Sequence, residues 1–255
     1  MRLYVRNPPG WWPYALVLYT DVGELLTAHH VIVDNGAYGF YKRGSFPSDV
    51  RKWFMDVCRK GYRYARLGID TIVVVPDYPM NPWVSYEWAR TCLGMPVARS
   101  PPFRLALVFH VERPEPSSIR ESLRLYSRLL DRVDVLAVPA RLTCGRDRDR
   151  MLHFVHRVAD IAEEHGLSLH ILGASLSPEF LRRVQDRVES IDTMNWTRAM
   201  SAGFARAVGR KVMRNDRDRS IWLASWIYYL HTRGVEIDDY ELALPHVPER
   251  IRAVL

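Results

Sequence analysis

Five polar residues each follow a short, mostly apolar run, and their types suit covalent chemistry. They are Asp34 in "VIVDNGAYGFY", Asp77 in "VVPDYP", His110 in "VFHVER", Arg141 after "LAVPA" and Asp192 in "SIDTMNWTR". Three are carboxylates. A pair of carboxylates performs displacement at a sugar carbon, one as nucleophile and one as acid or base. A third reads a ring edge that carries N–H donors. Carboxylates focused on one site repel each other and raise some of their pKa values. The competing expectation is that each Asp caps a helix or closes a turn, and Asp34 before Asn35-Gly36 suits that well.

For such residues to act together, the elements that carry them must converge. Short β-branched runs alternate with longer runs of helical period along the chain. The strand candidates are "YALVLYT", "HVIVD", "DTIVVVPD", "RLALVFHV", "VDVLAVPA", "LSLHILGA" and "SIDTMN", with a weaker "RLYVR" at the start. The helix candidates are "PSDVRKWFMDVCRKGYRYARLG", "SSIRESLRLYSRLLDR" with a serine cap and a capping-box glutamate, "RDRMLHFVHRVADIAEEHG", and "SPEFLRRVQDRV" with Ser177 as cap. Nearly all-apolar strands point to a parallel sheet buried on both faces. Eight of them at this rhythm predict an α/β fold, a (β/α)8 TIM barrel, over residues 1–200, in which loops at the C-terminal strand ends carry the chemistry. A doubly wound open sheet is the alternative, lowered by the lack of a GxGxxG after any early strand. Residues 201–255 read as basic and apolar helices that complete the barrel or pack on it. "MPVARSPPF" reads as an irregular loop and "GWWPY" as a hydrophobic plug at the barrel's bottom. "IWLASWIYYL" reads as an apolar helix face, with a dimer contact as one use for it.

The 255 residues carry a net charge of +7, and of 36 basic residues all but Lys42, Lys52, Lys60 and Lys211 are arginines. Arginine favours planar, bidentate partners such as phosphate. A polyanion, nucleic acid first, is the expected partner, with a compositional habit as the alternative. Cys58, Cys92 and Cys144 form no CxxC, so no zinc ribbon is signalled, and an odd count suits a reducing, cytoplasmic setting. No apolar run reaches the roughly 18 residues of a membrane span. His153 and His156 sit three apart without a carboxylate spaced to complete a metal site.

In spacing and context, these segments resemble the tRNA-guanine transglycosylase superfamily. Its members are (β/α)8 barrels that exchange guanine for a 7-deazaguanine base on an intact nucleic-acid chain. "VDNGAYG" is similar to the family's Asp-Ser-Gly-Gly-Tyr/Phe-Gln segment, and "IVVVPDYP" to the strand ending in a base-reading aspartate. "VDVLAVPA" resembles Gly-Gly-Leu-Ala-Val-Gly-Glu, and "LHILGASLSPEFLRRV" resembles Leu-Met-Gly-Val-Gly followed by Pro-Glu and a helix. "IDTMNWTR" is similar to Phe-Asp-Cys-Val-Leu-Pro-Thr-Arg, with Asp192, Thr197 and Arg198 in register. A shifted register would put Asn195 at the nucleophile, against the Thr-Arg match.

The resemblance implies Asp192 as nucleophile, Asp34 as general acid/base, and a base pocket of Asp77, Asn35, Tyr38, His110, Leu172 and Gly173. Tyr38 and Leu172 would sandwich the base. Phe40 and Tyr41 read as packing under the first helix. Arg198, Arg206, Arg210, Lys211 and Arg214 would grip the nucleic-acid backbone, unless that run is a solvated helical face. The family's Cys-x-Cys-x-x-Cys…His zinc segment has no counterpart, so no cofactor is expected, and DNA is favoured over tRNA as substrate. Asn35 replaces a usual Ser and Gly39 a usual Gln. His110 stands near the place of a base-contacting Gln, and Pro139-Ala140 replaces a Gly-Glu that handles a substituent on the deazaguanine. The free base is the second substrate; a homodimer or an accessory protein is left open. A non-catalytic nucleic-acid-binding barrel and an N-glycoside hydrolase built on the same carboxylates are the competing functions.

Overall fold

The structure, a computed structural model, describes residues 1–23, 27–145, 147–173, 177–193 and 216–253. Eight parallel strands close on themselves in sequence order. They are β1 (Arg2–Arg6), β2 (Tyr14–Leu18), β3 (His30–Asp34), β4 (Asp70–Val74), β5 (Arg104–Val108), β6 (Val135–Val138), β7 (Ser168–Ile171) and β8 (Ser190–Thr193). Closure is made by β1 on β8, with Tyr4 opposite Asp192 and Val5 opposite Thr193. The fold is therefore the (β/α)8 barrel expected from the strand rhythm, and the closed order excludes the open doubly wound sheet.

Helices alternate with the strands from β3 onward. These are α1 (Ala37–Arg43), α2 (Val50–Arg66), α3 (Pro82–Leu93), α4 (Pro116–Leu130), α5 (Ala140–Cys144), α6 (Arg148–Glu164) and α7 (Pro178–Val184). Asp49 caps α2 by accepting from the Arg51 and Lys52 N–H groups, and Ser177 caps α7 through Phe180. The serine cap and capping box expected before "IRESL" do not form. Pro116 already occupies the first helical turn, Glu115 stands at the cap position with its carboxylate accepting from Arg150 instead of capping, and Ser118 Oγ accepts from Arg113 N–H. Three helices go beyond the sequence reading, α1, α3 and the short α5. Helix α1 starts after Gly36, at φ 78°, and stops at Gly44, at φ 64°. Helix α3 starts at Asn81, whose side chain accepts from Val84 N–H, with Pro82 first in the helix. The "MPVARSPPF" loop contains one turn of 3-10 helix over Pro96–Ala98.

Only residues 7 to 13 join β1 to β2, too few for a covering helix. The C-terminal segment covers this wall instead. Helix α8 (Asp216–Thr232) buries Trp222, Leu223, Trp226, Ile227 and Leu230 in the core. It is followed by a 3-10 stretch, Tyr240–His246, and by α9 (Glu249–Arg252). Trp11 Nε1 donates to Ser220 Oγ (2.6 Å) and its ring stacks on His246 (4.7 Å). The Met1 ammonium donates to Asp238, and Tyr14 Oη donates to Asp239. The segment "IWLASWIYYL" is thus the apolar helix face expected, and that face is buried within its own chain. Among the described residues no helix is long and apolar enough to cross a membrane.

A polar cluster stands at the bottom of the barrel. Arg2 on β1 and Arg104 on the opposite β5 both donate to Glu189 (2.8 and 3.1 Å), so the contact crosses the lower mouth. Asp70 joins them and bonds His30 (3.0 Å). Of the "GWWPY" segment, Tyr14 stacks on His30 (4.9 Å) beside this cluster. Trp12 is fully buried, edge-on to Tyr14 (5.5 Å), with Nε1 donating to Leu3 O. Behind the sheet, Gly61 of α2 lies so close to Val73 that an added Cβ would collide with it and press on Phe103. Gly61→Ala is expected to cost about 1–3 kcal/mol by overpacking, read as a lower urea midpoint at unchanged m-value.

Candidate active site

The upper mouth collects the ends of β3, β4, β5, β7 and β8. Asp192, near the end of β8, is buried, and one of its oxygens is doubly held. Oδ1 accepts from Gly173 N–H (2.9 Å) and lies 3.2 Å from His170 Nε2. Gly173 has φ 59°, a left-handed turn just beyond β7 that favours glycine. His170 Nδ1 is 2.8 Å from Ser190 Oγ. His170, Ser190 and Asp192 are all buried, so this chain runs through the barrel interior. No hydrogen bond reaches Asp192 Oδ2 among the described residues.

Asp34 ends β3, across the barrel from β8. Its Oδ1 accepts from Gly36 N–H (2.7 Å), an Asx turn that also launches α1. Burial pushes its carboxyl up to about 7; the Gly36 N–H works against this, while the charges of Asp192 and then Asp77 raise it further. Arg6, at the end of β1, opposes them weakly and also pairs with Asp21 (3.0 Å). The mutual repulsion expected of carboxylates at one mouth is present, and it falls on Asp34.

Asp77, three residues past β4, is gripped on both oxygens. Asn35 Nδ2 donates to Oδ1 (2.8 Å) and His110 Nε2 lies 2.8 Å from Oδ2. Asn35 spends its remaining capacity on Val75 O and on the Ala37 N–H. It has no free N–H to offer a base, and its place in the site is as the support of Asp77. His110 also turns to Asp77 first, but its Nδ1 is buried without a hydrogen-bond partner among the described residues.

Tyr38 lies in the first turn of α1 and is 47% exposed, with the Lys42 ammonium 4.4 Å from its ring centre. Tyr41 is also exposed and meets Tyr78 edge-on (6.3 Å), so it does not pack under a helix as expected. Phe40 does pack, edge-on to Trp53 (5.4 Å). Leu172 immediately follows β7 and is partly buried. Arg141 falls in α5 with its side chain exposed, which sets it apart from the other strand-end residues. Arg198, Arg206, Arg210, Lys211 and Arg214, with Asn195 and Thr197, lie outside the described residues.

His170 and Ser190 lie within β7 and at the start of β8, so neither shows in the sequence as a polar break at a strand's end. Alternation carried the signal: Ser190 and Asp192 are two apart on β8, and His170 pairs with Ser190 in register.

No protein-family model matches this chain, and no curated protein matches it. A zinc subdomain does not fit the cysteines present. Cys58, Cys92 and Cys144 lie buried on α2, α3 and α5, and burial pushes the Cys58 and Cys144 thiols up to about 12 and about 11 and Cys92 higher still. Metal-binding thiols are shifted the other way.

Proposed function

We propose that this barrel is a base-exchange enzyme of the guanine transglycosylase type, replacing guanine in nucleic acid by a 7-deazaguanine. The observation that carries the reading is the unequal treatment of Asp34 and Asp192. One is pushed up to about 7 at the mouth, while the other is held by two donors on a single oxygen. Two acids with environments this different divide into proton donor and nucleophile.

In the proposed sequence, the target nucleotide leaves its stack to reach the mouth. Asp192 Oδ2 attacks C1′, the C1′–N9 bond breaks, and Asp34 gives its proton to the departing guanine. The product is a glycosyl ester of Asp192. An incoming 7-deazaguanine then attacks C1′ through its N9, passes the N9 proton to Asp34 and releases the Asp192 carboxylate. Asp77, fixed by Asn35 and His110, retains lone pairs for the N1–H and exocyclic amine of the base. Adenine would leave this buried acid unpaired and is rejected on that ground. The unpaired His110 Nδ1 is free for another edge of the base. Tyr38 supplies a stacking face and Leu172 the opposite one; such stacking contributes about 1–3 kcal/mol per base.

The exposed side of α1 supports a nucleic-acid substrate. Lys42 and Arg43 are exposed, Lys42 over the Tyr38 ring and Arg43 over the Phe40 ring, and no acid pairs with either among the described residues. Lys42→Ala with Arg43→Ala is expected to weaken nucleic-acid binding and flatten its salt dependence by roughly one unit of log–log slope per lost phosphate contact. Fluorescence anisotropy across a salt series measures both. The lack of the family's zinc segment favours DNA over tRNA.

Mass spectrometry of nucleosides from DNA and tRNA tests the whole reading, after expression with a supply of 7-deazaguanine. A deazaguanine nucleoside that depends on Asp192 is expected in DNA. Free guanine released without any acceptor base would make the protein an N-glycoside hydrolase instead. An unmodified pool of both nucleic acids and no released guanine would leave only a binding role.

A further inference from the structure

The mechanism above employs Oδ2 of Asp192 and leaves two donors on Oδ1 without a task. One is the Gly173 N–H at 2.9 Å. The other is His170 Nε2 at 3.2 Å. The imidazole is itself held on two sides. Ser190 Oγ lies 2.8 Å from its Nδ1, and Tyr4 meets its face edge-on at 6.2 Å and 79°. A serine hydroxyl donating to Nδ1 leaves the ring proton on Nε2, pointing at Asp192. Ser190, His170 and Asp192 are each nearly sealed from solvent, so water does not compete for these bonds.

We propose that His170, its tautomer set by Ser190, is a positioning residue that presents Oδ2 of Asp192 for attack and, with the Gly173 N–H, promotes release of the covalent intermediate. This rests on Asp192 being the nucleophile. Once Oδ2 is bonded to C1′, Oδ1 is the carbonyl oxygen of an ester. When the incoming base bonds to C1′, the C1′–Oδ2 electron pair returns to the carboxylate and negative charge spreads onto Oδ1. Two donors already aimed at that atom stabilise the leaving carboxylate more than the ester, as preorganised donors do at an oxyanion. Losing the imidazole donor therefore slows the second half of the exchange more than the first, and the ester accumulates.

The test follows guanine exchange into an oligonucleotide together with the denaturation-resistant protein–nucleic acid adduct on a gel. The wild type and Asp192→Ala establish the nucleophile: an adduct with the first and none with the second. If the wild type forms no adduct, or Asp192→Ala exchanges normally, the nucleophile assignment falls and this inference falls with it. With that assignment in place, His170→Phe is expected to slow exchange roughly a hundredfold while the adduct rises above the wild-type fraction. His170→Gln, which keeps an N–H donor, is expected to recover part of the rate, and Ser190→Ala to show a smaller slowing with the same rise. Wild-type exchange in His170→Phe overturns the proposal. So does loss of exchange and adduct together in a folded variant, because that marks a purely structural role. If His170→Phe does not fold, Ser190→Ala and His170→Gln decide on the same readout: adduct unchanged in both overturns the proposal.

Discussion

Asp192→Asn is expected to reduce base exchange on the order of 10⁴-fold, the scale seen when one member of a catalytic set is removed, with nucleic-acid binding retained. The amide is nearly isosteric with the carboxylate. Its oxygen still accepts from Gly173 N–H and from His170 Nε2, which now lie 2.9 and 3.2 Å from Oδ1. The barrel wall is preserved as well, since β1 pairs with β8 through the backbone at this position. What is lost is the oxygen proposed as nucleophile. A second consequence sets this variant apart from a folding defect: the Asp192 charge is one of the causes that raise Asp34. Neutralising it lowers the Asp34 pKa, so the residual activity shifts its pH profile toward acid. Single-turnover release of labelled guanine measures the rate, and anisotropy measures binding. Exchange within tenfold of the wild type would remove Asp192 from the nucleophile's role.

Asp34→Asn is expected to inactivate and stabilise at once. Loss of the proposed proton donor is expected to cost about 10²–10⁴-fold in rate. The stability effect follows from the sign of the shift. The Asp34 carboxyl is raised from 3.8 to about 7 in the folded chain. Between those values the folded protein holds a proton that the unfolded chain has released, so stability falls as pH rises through this window. Below it both states are protonated and there is no penalty; above about 7 the penalty is complete. A shift of this size corresponds to about 4 kcal/mol at most. Asparagine removes the penalty and still accepts the Gly36 N–H. The variant should exceed the wild type by about 2–4 kcal/mol at pH 8.5, with the gap shrinking as the pH falls toward 4. Urea unfolding at pH 8.5 and at pH 5 measures this. A gap that does not change with pH would show that Asp34 is not a strained carboxyl. In the proposed mechanism expulsion of guanine needs the protonated acid, so wild-type exchange should decline above about pH 7.

These effects depend on residues that differ in how plainly the sequence exposed them. All eight strands were legible, because a strand buried on both faces must be a short, continuous apolar run. Asp34, Asp77 and Asp192 were legible as polar breaks at the ends of those runs. Helix α3 carried its signals in Asn81-Pro82, but its mixed pattern gave no clear apolar stripe. Helix α1 is short and contains Gly39 among aromatics, so nothing in its composition favoured a helix over a turn. The capping box of Ser118 and Glu121 before α4 failed because Pro116 starts the helix three residues before the Ile119 that a Ser118 cap would require.

Strand period, turn chemistry and the order of the polar breaks are local properties. They were enough to set the barrel, its upper mouth and the three carboxylates in it. Which groups those carboxylates bond is not local. Asn35 is one residue from Asp34 in sequence, yet it serves Asp77, because the bond is made between β3 and β4. His110 belongs to Asp77 and His170 to Asp192 only once neighbouring strands fall into register. The raised pKa of Asp34 comes from its burial and from charges on strands distant in sequence. The C-terminal helix covers the β1–β2 wall because the connection between those strands is too short to do so, a packing requirement that appears only when the barrel is closed.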